Sequence, residues 1–175
     1  MNYNDITIGL VLFKSEEVIF KCLKSIKKVK KIIIYDNSND LFLKNKIKKI
    51  YPNIIYILSK QNIGYGAGNN KIFKIAKTPY VFVLNPDTVL DKNCIPNLIF
   101  QSKKIGNNFS IISPSTRLKN YGYFDNHNEN RIKIKNILDV DYVKGFSMLV
   151  NLRKLKKVNF FDNNFFLYLE EIDLC

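Results

Sequence analysis

A carboxylate follows directly after an apolar run near the middle of the chain. Residues 80–84 predict a buried strand, and Asn85-Pro86-Asp87 ends it, because a proline cannot continue a sheet ladder. In open α/β sheets, ligands bind in the crevice beyond the carboxyl ends of the strands. Asp87 would supply a hard oxygen ligand there, suited to Mg²⁺ or Mn²⁺ and, through the metal, to a diphosphate. A solvated Asx-Pro turn explains the same residues equally well when they are considered alone.

Short polar residues follow another apolar strand, predicted over residues 31–35. Asp36 is the first carboxylate after it, so we expect Asp36 at the same ligand crevice. There it could accept a hydrogen bond from a pyrimidine N–H or a ribose hydroxyl. The run from Asp36 to Asp40 also fits a cap for the next helix.

A glycine-rich segment, Gln-Asn-Ile-Gly-Tyr-Gly-Ala-Gly-Asn-Asn, occupies residues 61–70. Glycines at alternate positions allow the backbone to approach a ligand closely. A helix predicted over 69–77 would point its unpaired N–H groups toward the crevice, which favours an anion. The spacing matches neither the dinucleotide fingerprint nor a Walker loop. A flexible loop without a ligand is the alternative.

Three acidic residues, Glu170, Glu171 and Asp173, lie within four positions after an aromatic run. Crowded carboxylates raise one another's proton affinity, which is useful in a general base. The acidic first turn of a solvated helix is the alternative interpretation.

The elements that must position these residues alternate between strand and helix. A mostly parallel sheet with helices on both faces, an α/β fold, is therefore predicted. The predicted strands are 6–13, 31–35, 54–58, 80–84 and 109–113, and the predicted helices are 15–28 (capped by Ser15), 41–50, 69–77 and 95–104. Residues 119–136 predict a hairpin or mobile excursion, and 140–150 a strand interrupted at Gly145.

Length and composition favour one globular domain over residues 1–175, since 46% of the chain is hydrophobic. The net charge of +13 favours anionic partners, although lysines on solvated helix faces account for most of it. The three cysteines lack metal-ligand spacing, so neither a disulfide framework nor a zinc site is indicated. His127, in an Asn-rich run, is interpreted as a surface loop residue.

Targeting signals are absent from the sequence as it stands. No apolar run reaches the roughly 18 residues of a membrane span, and the N-terminal residues lack the pattern of a signal peptide. We therefore expect a cytoplasmic protein, with peripheral association at the inner membrane face as a further expectation. Nucleic acid is not an expected partner, because none of the usual binding signatures is present.

Taken together and in order, these segments resemble the family-2 inverting glycosyltransferases with the GT-A fold. Within that family the chain looks like the rhamnosyltransferase-like branch. The matching segments span nearly the whole chain: the N-terminal apolar strand, IIIYDNSND, QNIGYGAGNN, VFVLNPDT, VKGFSMLV and FDNNFFLYLEEIDLC.

The resemblance implies a role for each matching position. Asp36 would bind the base and ribose, and the nucleotide sugar would also contact Asn85 and Gly145. Asp87 would hold Mg²⁺ or Mn²⁺ on the donor diphosphate. The remaining donor-site residues implied are Phe13, Asn62 and Gly64. Glu171 stands at the position of the catalytic base, with Glu170 and Asp173 as the alternatives.

The function implied is transfer of a sugar from a nucleoside diphosphate sugar, dTDP-rhamnose or a UDP-sugar, to a glycan or lipid-linked acceptor. A metal-assisted direct displacement would invert the anomeric centre. The chain departs from the family in two ways. Glu171 replaces the usual Asp, and family members normally continue with further helices. A nucleotide-sugar-binding module with little or no activity is therefore the alternative function.

Overall fold

The structure, a computed structural model, describes residues 1–115, 123–124, 133–134 and 137–175. Most of the excursion predicted over 119–136, including His127, lies outside the described residues. None of the helices in the described ranges combines the length and apolar character that crossing a membrane requires.

Strands and helices alternate through the first hundred residues, as predicted. The strands are β1 (Ile6–Leu12), β2 (Lys31–Asp36), β3 (Ile55–Leu58) and β4 (Tyr80–Leu84). The helices are α1 (Glu16–Ser25), α2 (Leu41–Ile50), α3 (Tyr65–Ile75) and α4 (Cys94–Lys104). A short 3-10 helix, Tyr3–Asp5, precedes β1.

Shorter elements make up the rest of the described chain. The strands are β5 (Ile111–Ile112), β6 (Tyr123–Phe124), β7 (Lys133–Ile134), β8 (Ile137–Leu138), β9 (Tyr142–Val143) and β10 (Ser147–Asn151). The helices are α5 (Leu152–Leu155), a 3-10 turn (Lys156–Val158) and α6 (Glu170–Leu174). The predicted interruption at Gly145 is confirmed, because Gly145 lies between β9 and β10.

A six-stranded sheet in the order β3-β2-β1-β4-β10-β5 forms the centre of the fold. Strands β1 to β4 pair in parallel, whereas β10 is antiparallel to both β4 and β5. The mostly parallel sheet predicted from the alternating pattern is therefore confirmed. The antiparallel direction of β10 was not predicted.

Alternate residues of the central strands face two separate apolar cores, as period-two geometry requires. One core packs even-numbered residues of β1, such as Ile8 and Leu10, beneath α1, α2 and α4. The other packs Val11 against Ile72 and Phe73 of α3, with Phe161 from the C-terminal segment. Helices therefore cover both faces of the sheet, as the pattern predicted.

The register brings the carboxyl ends of the parallel strands together. Asp36, the last residue of β2, lies opposite Leu12 of β1 and Leu58 of β3. Because β10 runs the other way, it begins at Ser147 opposite Leu84, the last residue of β4. The loops that follow β1, β2, β3 and β4 and the loop that precedes β10 thus share one edge, called here the carboxyl edge.

Two helix boundaries differ from the predictions by more than two residues. Helix α1 ends at Ser25 rather than at residue 28, and Ser15 occupies its cap position without a capping side-chain bond. Its hydroxyl bonds instead to the backbone carbonyl of Phe13. Helix α3 begins at Tyr65, four residues before the predicted start. Gly66 and Gly68 are therefore helical, not loop, residues.

Candidate functional site

The turn after β4 holds Asp87 outside the core, as predicted. Asn85 donates its N–H to the carbonyl of Phe146 at 2.9 Å, and Thr88 donates its N–H to the carbonyl of Asn85 at 3.1 Å. These bonds fix the turn against the residue before β10. The Asp87 side chain is exposed, and within the described ranges no hydrogen bond or ion pair engages its carboxylate.

The residues present fit a divalent cation shared with a substrate. Among the described residues no three His, Cys, Asp or Glu side chains form a metal-binding group. Mg²⁺ is commonly held by one or two carboxylates together with substrate phosphates and water, so one free carboxylate suffices. Asp87 meets that requirement.

Asp36 lies at the carboxyl edge but is fully buried. Its Oδ1 accepts from the N–H and the hydroxyl of Ser38, both at 2.8 Å. Its Oδ2 accepts from the Tyr56 hydroxyl at 2.9 Å and the Asp40 N–H at 3.1 Å. Four donors hold the turn after β2 in one shape, and a contact of Asp36 with a ligand stays a prediction.

Capping by this polar run, the alternative interpretation, is confirmed at Asp40. Its Oδ1 accepts from the Leu43 N–H at 2.9 Å, which caps α2. Burial and the nearby Asp36 carboxylate, followed by the hydrogen bond to Asp36, raise the pKa of Tyr56. The Tyr56 hydroxyl therefore stays protonated as a donor to Asp36.

Asn37 joins two loops of the carboxyl edge, a role that sequence reasoning missed. Its side-chain N–H donates to the Gly64 carbonyl at 3.0 Å, and its Oδ1 accepts from the Ile63 N–H at 3.2 Å. The side chain is buried. An amide that pairs with both backbone groups of a loop fixes the loop's position, so the turn after β2 holds the glycine-rich segment.

Gly64 sits where only glycine fits. Its φ of +88° and ψ of 174° fall in a region that other residues avoid. A Cβ there would lie 2.3 Å from the carbonyl oxygen of Phe166. Asn62 supports this turn, since its Oδ1 accepts from the Gly64 N–H at 3.0 Å. The predicted pair Asn62 and Gly64 therefore forms the turn before α3, and this turn packs against the C-terminal segment.

The two helical glycines allow close packing of α3. A Cβ on Gly68 would lie 2.9 Å from a methyl group of Val11, so the missing side chain lets α3 lie directly on β1. A Cβ on Gly66 would lie 3.2 Å from Cβ of Phe161 and 3.5 Å from Cγ of Glu170. The glycine spacing thus serves helix packing, and it brings Glu170 beside α3.

Glu170 and Glu171 begin α6, where Glu170 is buried and Glu171 is half-buried. Glu170 is only 4% exposed, and one oxygen of each carboxylate, Oε2, is buried without a hydrogen-bond partner in the described part of the chain. Burial, and then the charge of Glu171, raise the pKa of Glu170. Buried polar atoms normally have partners, so each exception needs an explanation. An acid that must exchange a proton with a ligand is one such explanation.

Glu171 contacts the loop before β10. A Cβ on Gly145 would lie 3.5 Å from Cβ of Glu171 and 3.6 Å from its carboxyl carbon. Two residues predicted from separate segments are therefore neighbours. Asp173, the third candidate base, is exposed. Glu171 is thus better placed than Asp173 to act beside Gly145.

Phe13 follows β1 at the carboxyl edge and is 51% exposed. The ammonium group of Lys14 lies 5.5 Å from the centre of its ring. An exposed aromatic ring at this edge offers a flat surface for a ligand base. Its contact with a nucleotide stays a prediction.

Tyr65 connects these parts, and sequence reasoning missed it. Its hydroxyl donates to the Gly145 carbonyl at 2.7 Å, and its N–H donates to the Phe166 carbonyl at 3.1 Å. Burial raises its pKa, and the charges of Glu170, Glu171 and Asp87 raise it further. The Tyr65 hydroxyl therefore stays protonated as a donor to the Gly145 carbonyl. A tyrosine within a glycine run carries no sequence signal for this.

Comparisons with known proteins identify the family. The family described as "Glycosyl transferase family 2" matches residues 7–174. A relative from Haloferax volcanii, the low-salt glycan biosynthesis hexosyltransferase Agl10, is 31% identical over 98% of this chain and 61% of its own length. The rhamnosyltransferase WbbL of Escherichia coli is 29% identical over 83% of this chain and 64% of its own length.

Solved structures agree on the fold. TarS from S. aureus in complex with UDP superposes with a TM-score of 0.73 at 14% identity, over 97% of this chain and 53% of TarS residues 1–349. The mannosyltransferase PcManGT from Pyrobaculum calidifontis, in complex with GDP-Man and Mn²⁺, has a TM-score of 0.71 at 9% identity, over 91% of this chain and 48% of that chain. The predicted GT-A fold is thereby confirmed.

The chain spans 61–64% of the length of these two sequence relatives. The family match nevertheless covers all the segments that contain the candidate site residues. The likeness to a hexosyltransferase and a rhamnosyltransferase agrees with the branch that the motifs indicated. The chain therefore belongs to glycosyltransferase family 2 and resembles its rhamnosyltransferase-like members.

Proposed function

We propose that this chain binds a nucleoside diphosphate sugar at the carboxyl edge and transfers the sugar, with inversion, to a glycan or lipid-linked acceptor. dTDP-rhamnose or a UDP-sugar is the proposed donor. The observation that carries the proposal is that three parts meet at residues 145–146: Asn85 of the Asp87 turn bonds to Phe146, Tyr65 beside the Gly64 turn bonds to Gly145, and Glu171 packs against Gly145. Together they provide a metal ligand, a close backbone approach and a proton acceptor.

Donor binding would use the loops that the buried turns hold in place. Gly64 precedes α3, so the N-terminus of that helix lies at the carboxyl edge, where a helix N-terminus favours a phosphate. The Tyr65 N–H already donates to the Phe166 carbonyl and is not available to such a ligand. Asn62 borders that turn, and Phe13 presents its ring at the end of β1. Asp36 would contact the base or ribose only if one of its four internal donors gave way.

Asp87, beside Asn85, would hold Mg²⁺ or Mn²⁺ together with the donor diphosphate. The bound cation would neutralise charge on the departing nucleoside diphosphate. Support comes from the Asp87 carboxylate, which has no partner among the described residues, and from the mannosyltransferase of similar fold that was solved with GDP-Man and Mn²⁺. The Asn85 backbone bond to Phe146 would keep this carboxylate in register with the loop at Gly145.

Glu171 would accept the proton of the acceptor hydroxyl as that oxygen attacks the anomeric carbon. Its contact with Gly145 favours it over the exposed Asp173. Glu170 is the more deeply buried member of the pair, and its raised pKa favours its protonated form. Only one member needs to be ionised, and neighbouring carboxylates favour that division.

A transfer assay tests the proposal. The chain would be incubated with dTDP-rhamnose or UDP-glucose, Mn²⁺ and an extract of lipid-linked glycans. Product would be detected by mass spectrometry, and its anomeric configuration would be determined by NMR. We expect product with an anomeric configuration opposite to that of the donor, and its loss in Glu171→Gln. Retained configuration would contradict direct displacement, and full activity of Glu171→Gln would contradict the choice of base.

Residues 1–175 are proposed to form one GT-A domain that works at the inner membrane face. The net charge of +13 supports contact with anionic lipid. Sedimentation with vesicles containing anionic lipid, compared with neutral vesicles, would test this placement. Equal binding to both kinds of vesicle, or none, would contradict it.

A second candidate function is nucleotide-sugar binding without turnover. The burial of the Glu171 Oε2 favours it, because a base must reach its acceptor. Nucleotide binding without product in the transfer assay would support this function over the first.

A further inference from the structure

Tyr65, at the start of α3, touches two other segments that contain the candidate chemistry. It is the first residue of α3, and its N–H donates to Phe166 in the segment that leads to α6. Its ring lies edge-on to Phe161, with 6.4 Å between the ring centres. Its hydroxyl donates to the Gly145 carbonyl at 2.7 Å. No other candidate residue joins these segments through contacts of the described chain.

Residues 145 and 146 contact the surroundings of both proposed acids, Glu171 and Asp87. Gly145 itself packs against the side chain of Glu171. The next residue, Phe146, accepts hydrogen bonds from the Asn85 N–H at 2.9 Å and the Thr88 hydroxyl at 3.3 Å. Those two residues flank Asp87. A displacement of residues 145–146 would therefore move the metal ligand and the base relative to each other.

We propose that Tyr65 is a positioning residue that fixes the Asp87 turn relative to Glu171 through its hydrogen bond to the Gly145 carbonyl. The inference rests on the proposed function and adds a residue to it. Tyr65 acts through the backbone, so it needs no contact with the sugar. Because a displacement of about 1 Å in a reacting group can cost on the order of a hundredfold in rate, the hydroxyl matters more to kcat than to binding.

Tyr65→Phe tests this with little disturbance to the fold. The change keeps the ring against Phe161 and the backbone bond to Phe166, and it removes only the hydroxyl. Tyr35→Phe is the matched control. The Tyr35 hydroxyl is also buried, in the core that packs against α3. It bonds to the Ser59 hydroxyl at 3.0 Å and not to residue 145. Both variants lose one hydroxyl from the same core.

The first measurement is amide hydrogen exchange on the ligand-free chain, which does not depend on activity. We expect faster exchange at the Asn85 and Thr88 amides in Tyr65→Phe than in the wild type, and no change there in Tyr35→Phe. Equal protection of both amides in the two variants would overturn the proposed connection.

The second measurement is the steady-state release of dTDP from dTDP-rhamnose and of UDP from UDP-glucose with Mn²⁺. We expect kcat to fall about tenfold or more in Tyr65→Phe with KM changed by less than about twofold, whereas Tyr35→Phe keeps both values. A rise in KM with unchanged kcat would overturn the positioning role. A wild type that neither binds nor hydrolyses these donors would refute the proposed function, and amide exchange alone would then decide the role of Tyr65.

Discussion

Asn70 holds Phe161 by both of its backbone groups. The side-chain N–H of Asn70 donates to the Phe161 carbonyl at 2.8 Å, and its Oδ1 accepts from the Phe161 N–H at 3.1 Å. The same amide nitrogen also donates to Oδ1 of Asn163. One buried side chain on α3 thus fastens the start of the segment that leads to Glu170 and Glu171.

Replacement of this side chain should loosen that segment. We expect Asn70→Ala to lower the free energy of unfolding by about 2 kcal/mol, because two buried backbone groups lose their partner. Chemical denaturation would measure the change. Lys71→Ala, an exposed neighbour on the same helix, is the control. Equal stability of the two variants would show that the bonds to Phe161 contribute little.

Gly64 should tolerate no side chain. Gly64→Ala would combine a forbidden backbone region with a Cβ 2.3 Å from the Phe166 oxygen, so we expect a loss of about 3 kcal/mol or more. Gly106→Ala is the matched control. Gly106 also has positive φ, but a Cβ there meets nothing within 4 Å, so about 1 kcal/mol is expected. Thermal and denaturant unfolding would measure both losses. Similar losses in Gly64→Ala and Gly106→Ala would contradict the close contact with Phe166.

Glu170→Gln should stabilise the chain at neutral pH. Burial raises the pKa of Glu170 above its ordinary value of 4.5, so the folded chain keeps this proton to a higher pH than the unfolded chain. The free energy of unfolding therefore falls as pH rises from about 4.5 through the folded pKa, and the amide removes that fall. We expect the midpoint temperature of thermal unfolding of Glu170→Gln to exceed that of the wild type at pH 7. Below pH 4.5 the two midpoints should converge.

Thermal unfolding between pH 3.5 and 8 would measure this convergence. Glu17→Gln, which removes an exposed carboxylate in α1, controls for the loss of one negative charge. A difference between Glu170→Gln and the wild type that is the same at every pH would contradict the raised pKa of Glu170.

Asp87→Ala should abolish the metal-dependent part of nucleotide binding and leave the fold intact. Asp87 is exposed and outside the core, so no packing is lost. Titration calorimetry with UDP and dTDP, with and without Mn²⁺, would measure the effect. Glu17→Ala removes an exposed acid elsewhere and should bind like the wild type. Unchanged affinity of Asp87→Ala in Mn²⁺ would contradict its assignment as the metal ligand.

The strands and their polar ends could be predicted from sequence because burial on both faces leaves continuous apolar runs. Residues 31–35 and 80–84 are such runs, and the acids that follow them lie at the carboxyl edge. The start of α3 could not be predicted in the same way. Its glycines indicated a loop, but tertiary packing of Gly66 and Gly68 on Phe161 and Val11 offsets their low helix propensity.

Contacts between distant segments carry no local signal, and the candidate site depends on them. The bonds from Tyr65 to Gly145 and from Asn37 to Gly64 join residues 80 and 27 positions apart. The two-residue β5 is shorter than the strand predicted over 109–113, because only Ile111 and Ile112 pair with β10. The missed hydrogen bonds and the length of β5 both depend on which strands and loops are neighbours in the fold, and the local sequence does not show this.

The measurement that tests the central proposal most directly is a thermal-shift screen of UDP, dTDP and their sugars, with and without Mn²⁺. Ligand that binds only the folded chain stabilises it by about 2.7 kcal/mol at a hundredfold excess over Kd. We predict that UDP or dTDP raises the midpoint temperature of unfolding in the presence of Mn²⁺, and that Asp87→Ala lacks this metal-dependent rise. No rise with any of these nucleotides, in the presence or absence of Mn²⁺, would contradict the assignment of the carboxyl edge as a donor site.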